Sequence, residues 1–372
     1  MNFNHLKPFI AVLNPKWLLI IFFLLLFLES HAQQWLNESD YNDHFLKSKA
    51  VIIVAPHPDD EILGFAGIIY DAVKRGKRVQ VVVVTNGDGY GSACFFRKNG
   101  FPKEDKENHG EPCSREDLEL YGMTRIGESR KALKILGLDS ANFKPLGYPD
   151  GWIGEMVRHP DSVYRGNTSR IHSFSGKAFR LKNLEDDLKD ILQSDPDAEV
   201  YTTHFRDSHD DHSSVAAIIQ RVRQELCLQK ITFTVYWAVI HEPSGDNNAW
   251  PTPSVKEQFD VGKMMSEREN RYAPWEVLWP PSSMVERAFI YFTPECFWDQ
   301  NLDHSSLMRI ALDQFETGIG LLKPDGAPVK KEYEGWMDRN GYFLSFVKRN
   351  HLFWPSPFPE NCKNQLLSKN PQ

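Results

Sequence analysis

The sequence predicts an α/β fold: a Rossmann-like, mostly parallel sheet with helices on both faces, in one large domain with loop insertions. Three observations carry this. Residues 51–55 and 79–85 are nearly unbroken apolar, β-branched runs, as in strands covered on both faces. Between them, residues 62–74 repeat their apolar positions at helical spacing. Residues 199–203 and 213–227 then repeat the strand-then-helix order, and strands alternating with helices build a parallel sheet.

In chain order, Lys7 and Lys16 precede the apolar run 17–28, and Ser30-His31-Ala32 offers small residues where a signal peptidase reads them. Residues 1–32 are therefore expected to be a signal peptide that directs the chain to a secreted or periplasmic location. The alternative is a membrane anchor, although the run falls short of the roughly 20 residues a spanning helix needs. Residues 33–355 form the expected domain and 356–372 a C-terminal tail. Beyond the first β-α-β unit, helices are expected over 114–136, ending at Gly137, and over 181–193 and 213–227. A last strand is expected over 231–240. Residues 88–111, 154–176 and 242–283 read as insertions that follow strands or turns, where loops wall the ligand crevice of an open parallel sheet. Within the third, Trp250, Tyr272, Trp275 and Trp279 are candidates for stacking on sugar rings, as well as for packing.

The 372 residues carry a net charge of -7, with 25% charged and 41% hydrophobic residues. That is an ordinary globular composition without the basic footprint of nucleic-acid binding, so no nucleic-acid partner is expected. The five cysteines contain no C-x-x-C pair, which disfavours a thiolate zinc site. Cys94 and Cys113 bracket a polar loop and are a candidate disulfide whose closure would be worth about 3 kcal/mol. Cys227 lies in a helical apolar rhythm and reads as a small buried residue.

The chemistry concentrates in two places. Ala55-Pro56-His57-Pro58-Asp59-Asp60-Glu61 directly follows the first strand, and His209-Asp210-Asp211-His212 follows the strand at 199–203. Carboxylates in the first turn of a helix have an ordinary explanation in the helix dipole. Pro56 and Pro58, however, stiffen the turn that presents His57, and the second cluster adds two imidazoles. Together they offer His, Asp and His to one cation, with carboxylates left over for proton transfer. Glu61 and Asp210 are placed outside the core site. His204 and His241, which end strand-like runs, are candidates to face the crevice, although a single histidine is more often a structural residue.

These motifs closely resemble the PIG-L/LmbE-like family of zinc-dependent N-acetylglucosamine deacetylases. That family includes N-acetylglucosaminyl-phosphatidylinositol de-N-acetylases and the mycothiol and bacillithiol pathway deacetylases. Its P-H-P-D-D-E turn matches residues 56–61, and its H-x-D-H matches 209–212. Its T-x-G-x-x-G element is matched in part by 85–91, where the closing glycine falls one position late. Its R-x-x-E helix is matched by Arg125 and Glu128, and its L-G-x-x-D-G turn by 146–151. The resemblance runs from about 49 to 355, broken by the three insertions.

What the resemblance implies is specific. His57, Asp60 and His212 would hold Zn2+, and Asp59 would be the general base. His209 would stabilise the oxyanion or protonate the departing amine, Asp211 would orient a histidine, and Asp88, Arg125 and Asp150 would line or support the sugar site. The activity implied is zinc-dependent removal of an N-acetyl group from an N-acetylglucosamine-containing glycan, glycolipid or conjugate. His/Asp sites also accept iron, manganese or cobalt. Two other readings are a non-catalytic carbohydrate-binding module on the same fold and a metal-dependent phosphoesterase. The first predicts a decayed catalytic set, and the second predicts more acidic ligands around a metal pair.

Overall fold

The computed structural model describes residues 44–99, 110–205, 207–241, 289–291, 307–312, 314–315 and 351–356. The chain divides into two units, 1–44 and 45–372, and every element named here belongs to the second. Strand β1 (Ala50–Ala55) is buried at all six positions, as its unbroken apolar sequence requires. Helix α1 (Asp60–Lys74) buries Ile62, Phe65, Ala66, Ile69 and Ala72, a stripe at three- and four-residue spacing. Strand β2 (Arg78–Thr85) then pairs with β1 in parallel, completing the predicted β-α-β unit.

The first insertion contains a short helix, α2 (Gly91–Asn99), which the polar sequence there did not announce. The candidate Cys94–Cys113 disulfide is formed, tying α2 to the residue before Ser114. Ser114 starts helix α3 (Arg115–Ile135) with a capping box: its side chain accepts from the Asp117 N–H, and the Asp117 carboxylate accepts from the Ser114 N–H. Strand β3 (Phe143–Tyr148) was not predicted, because Lys144, Pro145 and Gly147 interrupt its apolar pattern. It lies at the sheet edge, where proline is tolerated.

Helix α4 (Ile153–Arg158) opens the second insertion. Helix α5 (Leu181–Ser194) buries Leu181, Leu184, Leu188, Ile191 and Leu192, and also Asp187, whose carboxylate accepts from Tyr148 Oη at 2.9 Å and from Lys177 Nζ at 2.6 Å. Strand β4 (Glu199–Thr203) and helix α6 (Asp210–Leu228) follow. The helix begins three residues earlier than predicted, which places His212 in its first turn. Cys227, expected as a simple buried residue, is buried and also disulfide-bonded. The last predicted strand shortens to β5 (Val235–Ala238). Strand β6 (Phe289–Tyr291), helix α7 (Leu307–Leu312) and strand β7 (His351–Ser356) complete the described elements.

The seven strands form one sheet in the order β3-β2-β1-β4-β5-β7-β6. The first five are parallel, and β7 runs antiparallel to both its neighbours. On one side Phe45, Tyr201, Tyr236, Tyr291 and Phe353 form an aromatic cluster, with Tyr201 and Tyr236 stacked at 4.7 Å between ring centroids. Among the described residues no helix is long and apolar enough to cross a membrane. The apolar run 17–28 and the third insertion, with its four aromatic residues, lie outside the described residues.

Candidate active site

The strand order reverses beside β1: the chain moves outward from β1 to β2 and β3, then returns to place β4 on the other side of β1. Crevices open at the carboxyl ends of strands at such a switch point. Both histidine clusters stand there, His57 in the turn after β1 and His209 and His212 after β4.

Three ligand atoms converge in this crevice. His57 Nδ1 lies 3.1 Å from Asp60 Oδ2 and 3.1 Å from His212 Nε2, and His212 Nε2 lies 3.0 Å from Asp60 Oδ2. All three side chains are buried. Two ring nitrogens facing one another at this distance share at most one proton, so uncompensated lone pairs meet in the centre. A cation satisfies all three at once, and the spacing is close to the roughly 3.3 Å between neighbouring ligands around a tetrahedral zinc. The donor set therefore fits a single metal ion with a coordination position left open. His57, His209 and His212 also bring ligand atoms within 4.8 Å of one another.

Each histidine has carboxylates behind it, the arrangement that fixes tautomer and orientation of metal-binding imidazoles. His57 Nε2 faces Asp150 Oδ1 at 3.2 Å and Asp211 Oδ2 at 3.3 Å. Asp211, expected to orient a histidine, thus stands behind His57, and it is held by the N–H groups of Gly151 and Ile153. His212 Nδ1 lies 3.3 Å from Asp207 Oδ2. Sequence reasoning missed Asp207, and its position two residues before His209 was the available signal. Its carboxylate accepts from the N–H groups of His209, Ile240 and His241. Burial lowers the His212 pKa, but Asp60 and Asp207 outweigh it and raise the group to about 9. Burial likewise works against ionised Asp60, yet His212 and His57 hold its carboxyl well below the ordinary range. The pocket thus gathers negative charge about its imidazoles.

Asp59 has φ of 119°, a conformation non-glycine residues rarely adopt. Its N–H donates to Glu61 Oε2 at 2.9 Å, and its Oδ2 accepts from Arg125 Nη2 at 2.8 Å. Burial pushes the Asp59 carboxyl up and Arg125 pulls it down, leaving it at about 6. Glu61 has no exposed surface, and burial raises it to about 8, so it is protonated at pH 7. His209 caps α6, with its ring centroid 4.6 Å from that of His57. Burial and the neighbouring imidazoles hold it down at about 3, so the ring is neutral at pH 7.

The three residues expected to line or support the sugar site lie close together beside the turn after β2. Asp88 Oδ1 accepts from the Asp150 N–H at 2.9 Å, Asp150 Oδ2 accepts from the Gly89 N–H at 3.1 Å, and Arg125 Nη1 donates to Gly87 O at 3.0 Å. All three are buried. Asp210 points outward to Arg158 at 2.8 Å, consistent with leaving it outside the site. His204 is buried and stacks on Phe205 at 4.2 Å, while His241 Nδ1 sits 3.5 Å from Asp207 Oδ1.

No curated protein matches this chain. Among solved structures, it is similar to the N,N'-diacetylchitobiose deacetylase from Pyrococcus horikoshii, with 15% identity, TM-score 0.41, and 86% of this chain and 87% of that one covered. It is also similar to Dbv21, the deacetylase of the antimicrobial A40926 pseudoaglycone (13% identity, TM-score 0.42, 84% and 99% covered). A third likeness is to a deacetylase in the biosynthesis pathway of teicoplanin (12% identity, TM-score 0.40, 82% and 97% covered). Residues 52–222, which span β1 through most of α6 and hold both histidine clusters, match the family described as PIG-L, GlcNAc-PI de-N-acetylase. Over residues 52–222 the chain is therefore similar to the PIG-L family.

Proposed function

We propose that this protein is a zinc-dependent hydrolase that removes the acetyl group from an N-acetylated amino sugar in a glycan, glycolipid or conjugate. The observation that carries the reading is the convergence of His57 Nδ1, Asp60 Oδ2 and His212 Nε2 within 3.0–3.1 Å, directly beside Asp59. The PIG-L match supports the amide and the sugar. Zinc, when bound by these three residues, supplies Lewis acidity toward the amide carbonyl and a water of lowered pKa.

The chain's own groups do the rest. Asp59, ionised above about pH 6, takes a proton from the attacking water and returns it to the amine nitrogen as the C–N bond breaks. Neutral His209 donates a hydrogen bond to the carbonyl oxygen as negative charge develops there. Asp211 and Asp207 hold His57 and His212 from behind. The site stands, in this reading, on a protein exported by residues 1–32, or held at the membrane by them. The Cys94–Cys113 disulfide supports an oxidising compartment.

The test is acetate release by purified, zinc-loaded protein from a panel of N-acetylglucosaminides, with Asp59→Asn in parallel. The parent is expected to release acetate, and Asp59→Asn to bind zinc normally while losing turnover by about 10² or more. Full activity in Asp59→Asn would remove the mechanism, and a parent that binds zinc but releases no acetate would remove the substrate class.

A further inference from the structure

We propose that Glu61 is a positioning residue that keeps the Asp59 carboxylate available to the attacking water instead of letting it cap α1. The inference rests on the reading of Asp59 as general base. Asp59 stands at the N-cap position of α1, where an aspartate ordinarily takes extended dihedrals and turns its carboxylate back to accept from the first N–H groups of the helix. Here it does neither. Its φ is 119° and its ψ is -33°, and its side chain makes no capping bond. The capping and the non-capping aspartate differ by rotation of the Pro58–Asp59 peptide, so the contacts that hold this peptide decide between them.

The peptide is held at both ends. Pro58 O accepts from Arg125 Nη2 at 2.7 Å, and the Asp59 N–H donates to Glu61 Oε2 at 2.9 Å. The Asp59 carbonyl is engaged separately, accepting from the Ile62 and Leu63 N–H groups at 2.9 Å. Glu61 has no exposed surface, is followed by buried Ile62 and Leu63, and stands beside Ser129 of α3, which is also fully buried. A carboxyl in such surroundings costs free energy that an apolar side chain would not. The bond to Asp59 offsets that cost, because a residue at so sparsely populated a φ persists only when its surroundings over-determine it. With an apolar residue at 61 the Asp59 N–H is left without its acceptor, an unfavourable state that rotation of the peptide relieves while offering Asp59 the capping bond. One acceptor oxygen is enough to prevent this, so glutamine at 61 serves and leucine does not.

The experiment compares the full, zinc-loaded chain with Glu61→Leu, which keeps the bulk and removes the acceptor, and Glu61→Gln, which keeps an acceptor oxygen. The first readout is hydrogen exchange at the Asp59 amide, followed by NMR, which does not depend on turnover. Glu61→Leu is expected to speed it about tenfold, as loss of one hydrogen bond does, while β1 stays protected, and Glu61→Gln to leave it near the parent rate. The second is steady-state acetate release. Glu61→Leu is expected to lose about 10² in kcat with KM unchanged and one zinc still bound, as a displaced catalytic group does, whereas Glu61→Gln keeps most of the parent kcat. Unchanged exchange at Asp59 in Glu61→Leu, or an equal loss of kcat in both variants, would overturn the proposal. Glu61→Met carries the same comparison if the leucine variant fails to fold. If the parent releases no acetate from any amide, the proposed function fails, and the exchange comparison alone decides whether Glu61 holds the Asp59 amide.

Discussion

Asp88 is fully buried, and burial pushes its carboxyl from the ordinary 3.8 to about 6, even though the Asp150 N–H bonds to its ionised form. A carboxyl raised in this way keeps its proton in the folded chain across the interval where the unfolded chain has already lost it. The folded state then binds more protons, so this group's contribution to stability falls as pH rises from about 4 to about 6 and is level above that. The size of the effect is up to about 3 kcal/mol. Asp88→Asn has no proton to lose there, so urea unfolding between pH 4 and pH 6 should show a flatter stability profile for the variant than for the parent. Identical slopes would mean that Asp88 titrates normally. At this scale the sequence was readable wherever the groups of the candidate site are neighbours in the chain: His57, Asp59 and Asp60 share one turn, and His209 and His212 another. It was not readable where a role depends on what lies opposite. The hydrogen bonds of Arg125 were hidden because its partners, Pro58, Asp59 and Gly87, are distant in sequence.

At the scale of elements, the loop between β4 and α6 is fastened to the end of β5 by the Asp207 carboxylate, together with main-chain bonds from His204 N–H to Ala238 O and from Ser208 N–H to His241 O. Asp207 accepts from the His209 N–H at 3.0 Å, the Ile240 N–H at 2.8 Å and the His241 N–H at 3.0 Å, and it also stands 3.3 Å from His212 Nδ1. Asp207→Ala leaves buried N–H groups and the His212 ring without their acceptor, at a cost of about 3 kcal/mol or more. Denaturant unfolding of the metal-free protein checks this directly, and a loss below about 1 kcal/mol would show that water or a loop movement replaces the carboxylate. Strand β3 could not be found from local pattern, and for Asp207 that pattern offered only its nearness to His209. The acceptor role of Asp207 exists only because β5 pairs beside β4. Strand β3 forms at the edge of a sheet whose other parallel strands were evident, so pairing with β2 overrides the breakers Pro145 and Gly147. By contrast β1, α1, β2, α3 and α5 carry their apolar periodicity openly, and each was found within a few residues of its ends.

For the molecule as a whole, the switch point makes one site from two stretches of chain more than 140 residues apart. Strands β1 and β4 pair in parallel, with Val54 opposite Thr202, so the turn after one strand and the loop after the other open on the same edge of the sheet. A metal held by His57 and Asp60 from the first and by His212 from the second, as proposed, would bridge these two stretches. Such a metal would bind the folded chain and find no assembled site in the unfolded one. Zinc should therefore raise stability by mass action, by about 2.7 kcal/mol when free zinc exceeds the dissociation constant a hundredfold. Stripping the protein with a chelator should lower the unfolding temperature, and restoring zinc should return it. His212→Ala removes one of three ligands and should begin near the stripped value and respond little to zinc, which separates binding at this site from binding to the surface. Equal zinc responses in parent and variant would place the metal elsewhere, and no response in either would leave the three converging atoms as a hydrogen-bonded cluster around a shared proton.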